Sequence, residues 1–197
     1  TTGIIAESLK SNKYKNWDGY NGAIIWSSNF IHNKIYPDKD LGRFALNQND
    51  KKLYMGQVGA GLSSNHGQGW GYKEIGKLKI LALCVNNAIG NVYENNKLIH
   101  KPNNVTDVKK VDLIKNTTII VIITNLKLDN YELRQMNQQV NASIGETIRP
   151  FNTFADGDIL YTCSTEQVDR NFKYWERIKF FDECSEVLKE AILNSIK

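Results

Sequence analysis

Two short polar segments carry the residue types that are best suited to chemistry. In the first, a polar loop ends at Asn116 and runs directly into Thr117, just before a β-branched apolar run that begins at Ile119. A threonine hydroxyl therefore stands at the entrance of a predicted strand. Threonine also favours strands because of its shape alone. Taken by itself, the segment is more typical of an ordinary strand start than of a nucleophile.

The second segment holds a pair of carboxylates farther along the chain. Asp156 and Asp158 flank Gly157 and directly precede an apolar run that begins at Ile159. Alternate residues of an extended chain point the same way, so both carboxylates can face one site. Adjacent carboxylates also push their pKa values apart. Because Asp-Gly pairs favour turns, a tight turn is the alternative explanation of the isolated triplet.

The composition is that of a globular protein. The chain has 197 residues, of which 41% are hydrophobic and 23% are charged, and its net charge is +4. This length favours one domain, and the apolar fraction is sufficient for a core. Apolar runs such as Ile119 to Ile123 are far shorter than the roughly 20 residues that span a bilayer. With no visible secretory signal, we expect no membrane partner.

The cysteines, histidines and basic residues bear on the cellular compartment, on metal binding and on nucleic-acid binding. The three cysteines are odd in number and widely spaced, which argues against a disulfide framework and favours a reducing compartment, the cytoplasm. The three histidines share no metal-ligand spacing, so no metal site is predicted. Without a basic stripe with interleaved aromatic residues, only the pI of 8.8 favours nucleic-acid binding, and we expect none. The cysteines are Cys84, Cys163 and Cys184, and the histidines are His32, His66 and His100.

Strands and loops that would position these groups follow from the apolar pattern. Apolar runs without alternation are typical of strands that are covered on both faces. They predict strands at Ala23–Trp26, Leu78–Val85, Ile119–Thr124 and Ile159–Cys163. Residues 56–76 hold many of the chain's glycines. A turn is predicted at 87–93 and an exposed connector at 94–110.

Helix signals are clearest after the third of these runs. Asp129 and Glu132 predict a helix start with a capping box. Apolar residues follow at helical spacing, and Gly145 predicts the helix end. Further helices are predicted at 3–10, 37–48 and 175–196. Covered strands with helices outside them predict a layered α/β/β/α or α/β/α sandwich.

Several segments together resemble the D-aminopeptidase/esterase family of self-processing hydrolases. This family includes L-aminopeptidase/D-esterases, β-peptidyl aminopeptidases and the nylon-oligomer endohydrolase. The segments are, in order, YPDKDLGRFAL, VGAG, CVNNAIGNVY, KNTTIIVIITNLKLD and IRPFNTFADGDILYTCST. The resemblance covers roughly residues 23–197 and implies an α/β fold, the layered αββα-type sandwich of this family. Family precursors are longer, so we expect the N-terminal part of that fold to be missing from this sequence.

The resemblance implies that the chain cuts itself between Asn116 and Thr117. In the family, a hydroxyl attacks the preceding carbonyl to give an ester, and hydrolysis of the ester frees a new N-terminus. Thr117 would then be the nucleophile and its own α-amine the base. An α-amine has a reference pKa of about 7.7–8.0, against about 10.4 for lysine, so part of it is neutral near pH 7. One domain, 1–197, would thus become 1–116 and 117–197.

The resemblance also assigns roles around the nucleophile. Asp156 and Asp158 would hydrogen-bond the hydroxyl and the amine of Thr117. Asn87 would donate to the oxyanion of the tetrahedral intermediate. We favour Asn87 over its neighbour Asn86 because an alanine follows it directly, as in the family motif. An asparagine at a strand end is otherwise a common turn former.

Other residues belong to this prediction with weaker support. Lys73 would bind a carboxylate or assist the oxyanion, but its context, GYKEIG, departs from the family pattern, and a solvated surface lysine is an equal alternative. Gly59 and Gly61 would let the backbone approach a substrate closely. Trp26 would line the pocket, although aromatic residues are more often part of the core.

The sequence therefore predicts a self-processing N-terminal-nucleophile peptidase or amidohydrolase. It would act on short peptides or small amides, need no metal or cofactor, and assemble as a homo-oligomer. The alternative is a truncated or degenerate homologue without catalysis that serves as a binding or assembly module. A rival within the same chemistry makes Thr1 the nucleophile, but Thr1 has no Asp-Gly-Asp partner at the family spacing.

Overall fold

The computed structural model of the chain describes residues 66–102, 116–154 and 156–197. The strands in these ranges are β1 Gly67–Ile75, β2 Leu78–Asn87, β3 Asn91–Glu94, β4 Lys97–His100, β5 Thr117–Leu126, β6 Ile148–Arg149 and β7 Ile159–Val168. The helices are α1 Asn130–Thr147 and α2 Tyr174–Asn194. The predicted α/β class is confirmed. The elements predicted at 3–10, 23–26 and 37–48 lie outside the described residues.

A four-stranded mixed sheet forms the framework of the described part. Its strand order is β1-β2-β5-β7, in which β5 is antiparallel to β2 and parallel to β7. The β-branched run at the start of β5 alternates in burial: Ile120 and Ile122 are fully buried, whereas Ile119 and Val121 are half-buried. This alternation assigns the two sets to opposite faces of the sheet.

Both helices pack on one face of this sheet. Helix α2 lies against β1 and β2, and helix α1 lies against β7 and α2. The close approach of α2 explains why β1 contains glycines. A Cβ atom at Gly69 would overlap the carbonyl oxygen of Ala191, and one at Gly71 would overlap that of Val187. Gly69 and Gly71, which belong to the glycine-rich stretch at 56–76, therefore lie in a strand and serve helix packing.

Helix α1 begins as predicted and ends later than predicted. The Asp129 side chain accepts a hydrogen bond from the Glu132 backbone at 2.8 Å, and Glu132 accepts one from the Asp129 backbone at 2.9 Å. The helix continues through Gly145, which is exposed, and stops where Ile148 becomes extended and pairs with Val92. The end of the helix is thus set by strand pairing and not by the glycine.

A second sheet has three strands in the order β4-β3-β6, and its strands β3 and β4 occupy residues that were predicted as a turn and an exposed connector. Asn95 and Asn96 join β3 to β4 with φ values of 49° and 63°. Positive φ values at two consecutive residues are typical of tight hairpins. Neither α1 nor α2, the helices of the described ranges, is both long and apolar enough to cross a membrane. All described residues belong to one unit, Tyr54–Lys197; the prediction of one domain over 1–197 stays a prediction.

Candidate active site

Strand register brings five of the predicted site residues together at one end of the four-stranded sheet. Asn87, the last residue of β2, pairs with Thr117, the first residue of β5. The preceding residue, Asn116, forms a parallel bridge with Asp156. Asp158 follows two residues later, one position before β7. The parallel pairing of β5 with β7 therefore places both carboxylate residues beside the Asn116–Thr117 peptide bond.

The carbonyl oxygen of Asn116 accepts two hydrogen bonds at this point. The Thr117 hydroxyl donates to it at 2.6 Å, and the backbone N–H of Gly157 donates to it at 2.9 Å. Asn116 is buried and Thr117 is half-buried. A hydroxyl therefore lies beside the preceding carbonyl group, and a backbone N–H points at the oxygen on which negative charge would develop during an attack.

Asp158 satisfies backbone donors from two segments. One carboxylate oxygen accepts from the Thr118 backbone N–H at 2.6 Å, and the other accepts from the Asn152 backbone N–H at 3.0 Å. Burial raises the pKa of Asp158, and these hydrogen bonds partly offset that rise. Since both oxygens are held by main-chain groups, the carboxylate has a fixed position between the start of β5 and the loop before β7.

Asp156 contacts a third segment. Its carboxylate accepts from the Ile89 backbone N–H at 3.2 Å and from the Thr153 hydroxyl at 2.7 Å. Burial raises the pKa of Asp156, and the nearby Asp158 charge raises it further. Ile89 belongs to the turn that follows β2, so Asp156 links that turn to the loop before β7.

Lys73 is not brought to this site. It pairs with Ile80, six residues along β1 from Gly67, which corresponds to about 20 Å of strand. Its side chain is exposed, and its ammonium lies 2.5 Å from a carboxylate oxygen of Glu183. The position agrees with the alternative of a surface lysine. Gly59, Gly61 and Trp26 lie outside the described residues, so their roles stay predictions.

The structure places several groups here that were not predicted from the sequence. The N–H groups of Gly157, Ile89 and Asn152 are main-chain donors, which no residue type signals. His66 is a further such group: it is fully buried directly before β1, with its Nε2 atom 2.9 Å from the carbonyl oxygen of Gly90. Little in the sequence indicates that His66 is buried, because its neighbours are polar residues and glycines, although it directly precedes a strand.

The described residues contain no group of three or more histidine, cysteine, aspartate or glutamate side chains placed to hold a metal ion. The groups that meet here are two carboxylates, a threonine hydroxyl, an asparagine and several main-chain N–H donors. Such a set is suited to acyl transfer, in which a hydroxyl attacks a carbonyl and N–H groups stabilise the oxyanion.

Comparison with known sequences identifies the family of this chain. The sequence profile of peptidase family S58 matches residues 45–197, which include every residue of the site described above. The chain belongs to peptidase family S58. Membership confirms the resemblance that was drawn from the sequence.

Two relatives of this S58 chain share one name. The chain is 29% identical over 177 residues to the 6-aminohexanoate-oligomer endohydrolase of Agromyces sp. (strain KY5R), with 75% of this chain and 50% of the relative covered. It is 30% identical over 177 residues to the enzyme of the same name from Kocuria sp. (strain KY2), with the same coverage. The S58 chain thus spans about half the length of these relatives.

Solved structures agree on the fold. The L-aminopeptidase D-Ala-esterase/amidase of Ochrobactrum anthropi, a variant of the Ntn hydrolase fold, matches with a TM-score of 0.59 and 16% identity, covering 99% of this chain and 63% of that one. A protein of Pyrococcus horikoshii OT3 matches with a TM-score of 0.58 and 20% identity, covering 80% and 48% respectively. The predicted fold of the family is therefore confirmed.

Proposed function

We propose that this S58 protein is a self-processing N-terminal-nucleophile peptidase or amidohydrolase, in which Thr117 becomes the nucleophile after the Asn116–Thr117 bond is cut. One observation carries the proposal. The Asn116 carbonyl oxygen accepts hydrogen bonds from the Thr117 hydroxyl at 2.6 Å and from the Gly157 N–H at 2.9 Å. The attacking group and a donor for the oxyanion thus flank the same carbonyl.

The cutting step is an N-to-O acyl shift followed by hydrolysis. The Thr117 hydroxyl oxygen bonds to the Asn116 carbonyl carbon, its proton passes to the Thr117 nitrogen, and the carbon–nitrogen bond breaks. An ester joins Asn116 to the Thr117 oxygen, and the Thr117 amine is free. Water then cleaves the ester, which leaves a carboxylate on Asn116 and restores the hydroxyl. Gly157 donates to the oxygen that carries negative charge in the tetrahedral intermediate.

The two carboxylates support the second stage, in which the freed Thr117 acts on a substrate. Its amine takes the proton of its hydroxyl as the oxygen attacks the substrate carbonyl. Asp156 and Asp158 lie beside this point, and their negative charge stabilises the ammonium that forms. Asn87 stands across the β2–β5 pair from Thr117, where its side-chain amide would donate to the oxyanion of the substrate.

The substrate class and setting belong to the same proposal. The related proteins are named as an endohydrolase of 6-aminohexanoate oligomers and as an aminopeptidase, esterase and amidase. These names support short peptides or small amides as substrates. All three cysteines are free thiols, which supports a reducing compartment such as the cytoplasm. A homo-oligomer is proposed as well, and light scattering of the purified chain tests it.

Denaturing intact mass spectrometry of the full chain tests the proposal. The expected result is conversion of the 22.5 kDa chain into residues 1–116 and 117–197. Thr117→Val keeps the side-chain shape without the hydroxyl and should stay uncut, whereas Thr117→Ser should be cut. Thr124→Val, at the other end of the same strand, is the matched control and should be cut like the unaltered chain.

Each other outcome has a definite meaning. An uncut wild-type chain would overturn self-processing and favour a non-catalytic homologue that binds or assembles. Cutting in Thr117→Val would move the nucleophile elsewhere. Once cut, the protein should release amine from a chromogenic amino-acid amide or a short 6-aminohexanoate oligomer, and Thr117→Val should release none.

A further inference from the structure

His66 is a fully buried histidine that the proposed chemistry does not use. It directly precedes β1, whose first residue, Gly67, pairs with Asn86. Continuing this antiparallel register by one step places His66 across from Asn87, and Asn87 pairs with Thr117. The three residues therefore occupy one row across neighbouring strands, with the proposed nucleophile at one end and the histidine at the other.

The imidazole makes a defined hydrogen bond in this position. Its Nε2 atom lies 2.9 Å from the carbonyl oxygen of Gly90. Since a carbonyl only accepts, the proton is on Nε2, and Nδ1 carries the lone pair. Nδ1 makes no well-aligned hydrogen bond within the described residues, and the ring also interacts with the Ala88 backbone of the same turn. Burial lowers the pKa of His66 to about 4, so the ring is neutral near pH 7. In the part of the chain that the structure describes, the titratable group facing it is His100, with ring centroids 5.0 Å apart.

The residue that accepts this bond belongs to a turn with two contacts to the site. The turn runs from Asn87 to Gly90. At its start, Asn87 pairs with Thr117, and from its middle, the Ile89 N–H donates to Asp156 at 3.2 Å. At its end, a Cβ atom on Gly90 would overlap the carbonyl oxygen of Pro150. The turn is therefore enclosed between His66 on one side and the loop before β7 on the other.

We propose that His66 is a positioning residue: through Gly90 it fixes the turn 87–90, which holds Asn87 opposite Thr117 and directs the Ile89 N–H to Asp156. The effect on catalysis rests on the function proposed above, whereas the effect on the turn does not. What the turn requires from His66 is a neutral N–H donor of the right reach, not a charge. A side chain that can donate should therefore replace it, and an apolar one of similar size should not.

Two substitutions in the full chain separate these cases. His66→Gln retains an N–H donor, and His66→Phe fills the space without one. We expect His66→Phe to slow cutting at Asn116–Thr117 about tenfold or more, because the buried Gly90 carbonyl loses its donor, and His66→Gln to stay within about threefold of the wild type. His100→Gln is the matched control and should cut at the wild-type rate. Equal slowing by His66→Gln and His66→Phe would overturn the proposal.

A second measurement does not depend on cutting. NMR on the Thr117→Val chain should show the His66 ring as the Nε2–H tautomer. Adding His66→Phe should speed hydrogen exchange of the Ile89 amide about tenfold, and adding His66→Gln should restore it. The other tautomer, or an unchanged Ile89 exchange rate, would overturn the positioning role. An uncut wild type with the expected exchange pattern would instead reject the proposed function alone.

Discussion

The two ends of β5 satisfy neighbouring main-chain groups in different ways. Near the Leu126 end, Asn125 accepts a hydrogen bond from the Lys79 backbone at 2.7 Å and donates one to the Lys77 carbonyl at 2.9 Å. One neutral amide thus ties the tight turn between β1 and β2 to the central strand. Both of its polar groups are used by the fold itself.

At the Thr117 end, carboxylates do the corresponding work. Asp156 and Asp158 accept from main-chain N–H groups of three segments, and burial raises the pKa of both. A buried carboxylate costs far more desolvation energy than a buried amide. The burial of two neighbouring carboxylates with raised pKa values at this end therefore points to a task beyond folding.

Removing one amide from each end is the sharpest test of this difference. Asn87→Ala should lower the turnover of a small amide substrate by about 100- to 1000-fold, because an oxyanion donor contributes about 2.7–4 kcal/mol. Asn125→Ala should instead lower the free energy of unfolding by about 1–3 kcal/mol with unchanged turnover per folded molecule. Steady-state kinetics and urea unfolding measure both quantities, and equal turnover in the two variants would contradict the assignment.

Making the acidic end neutral should have the next largest effect. In Asp158→Asn, one amide oxygen faces the two N–H donors of Thr118 and Asn152, and the charge beside the Thr117 amine is lost. We expect cutting and turnover to fall about 100-fold. Asp129→Asn is the control, since asparagine also caps helices well, and both rates should stay at the wild-type level. A fall in Asp129→Asn of the same size would show that the effect is not local.

Acid should lower the free energy of unfolding, because protonation of the buried His66 favours the unfolded chain. Unfolded, the ring takes up a proton near its ordinary pKa of 6.5, whereas in the fold burial lowers the pKa to about 4. Its contribution to stability is therefore complete above pH 6.5 and is lost as the pH falls towards 4, amounting to about 2–3 kcal/mol. Urea unfolding of the uncut Thr117→Val chain across this range measures the loss. Adding His66→Gln should remove it, with His100 unchanged as the facing group.

The smallest expected effect lies away from both ends, at Gly145. It sits inside α1, exposed, and an added Cβ would meet nothing within 4 Å. Gly145→Ala should therefore raise the free energy of unfolding by about 0.5–1 kcal/mol, since alanine favours helices over glycine. Urea unfolding checks this, and a destabilised variant would mean that the glycine is needed where it is.

Features with a local cause were predictable from the sequence. The capping box at Asp129 and Glu132 depends on residues three apart, and the strand at 119–124 depends on its own apolar run. The end of α1 was not predictable, because Ile148 leaves the helix to pair with Val92, far away in the sequence. The role of the β1 glycines was not predictable for the same reason, since it depends on a helix more than a hundred residues later.

In the candidate site, too, some groups were predictable from the sequence and others were not. The resemblance to the family predicted Thr117, Asp156, Asp158 and Asn87, and strand register brings them to one end of the sheet. The donors that hold them are main-chain N–H groups, whose directions depend on the folded backbone. Lys73 was predicted only from its place after the glycine-rich loop, in a context that departs from the family pattern, and strand register carries it to the far part of β1.

Where β5 lies in the sheet has a consequence for the cut protein. Its first residue follows the proposed cleavage point, and the strand is hydrogen-bonded between β2 on one side and β7 on the other. Cutting would therefore leave β2 and β5 on separate polypeptides that share a continuous ladder from Ile80–Thr124 to Asn87–Thr117. Folding of the intact precursor is unimolecular, but reassembly after cutting would be bimolecular, so the recovery of unfolded mature protein should depend on its concentration.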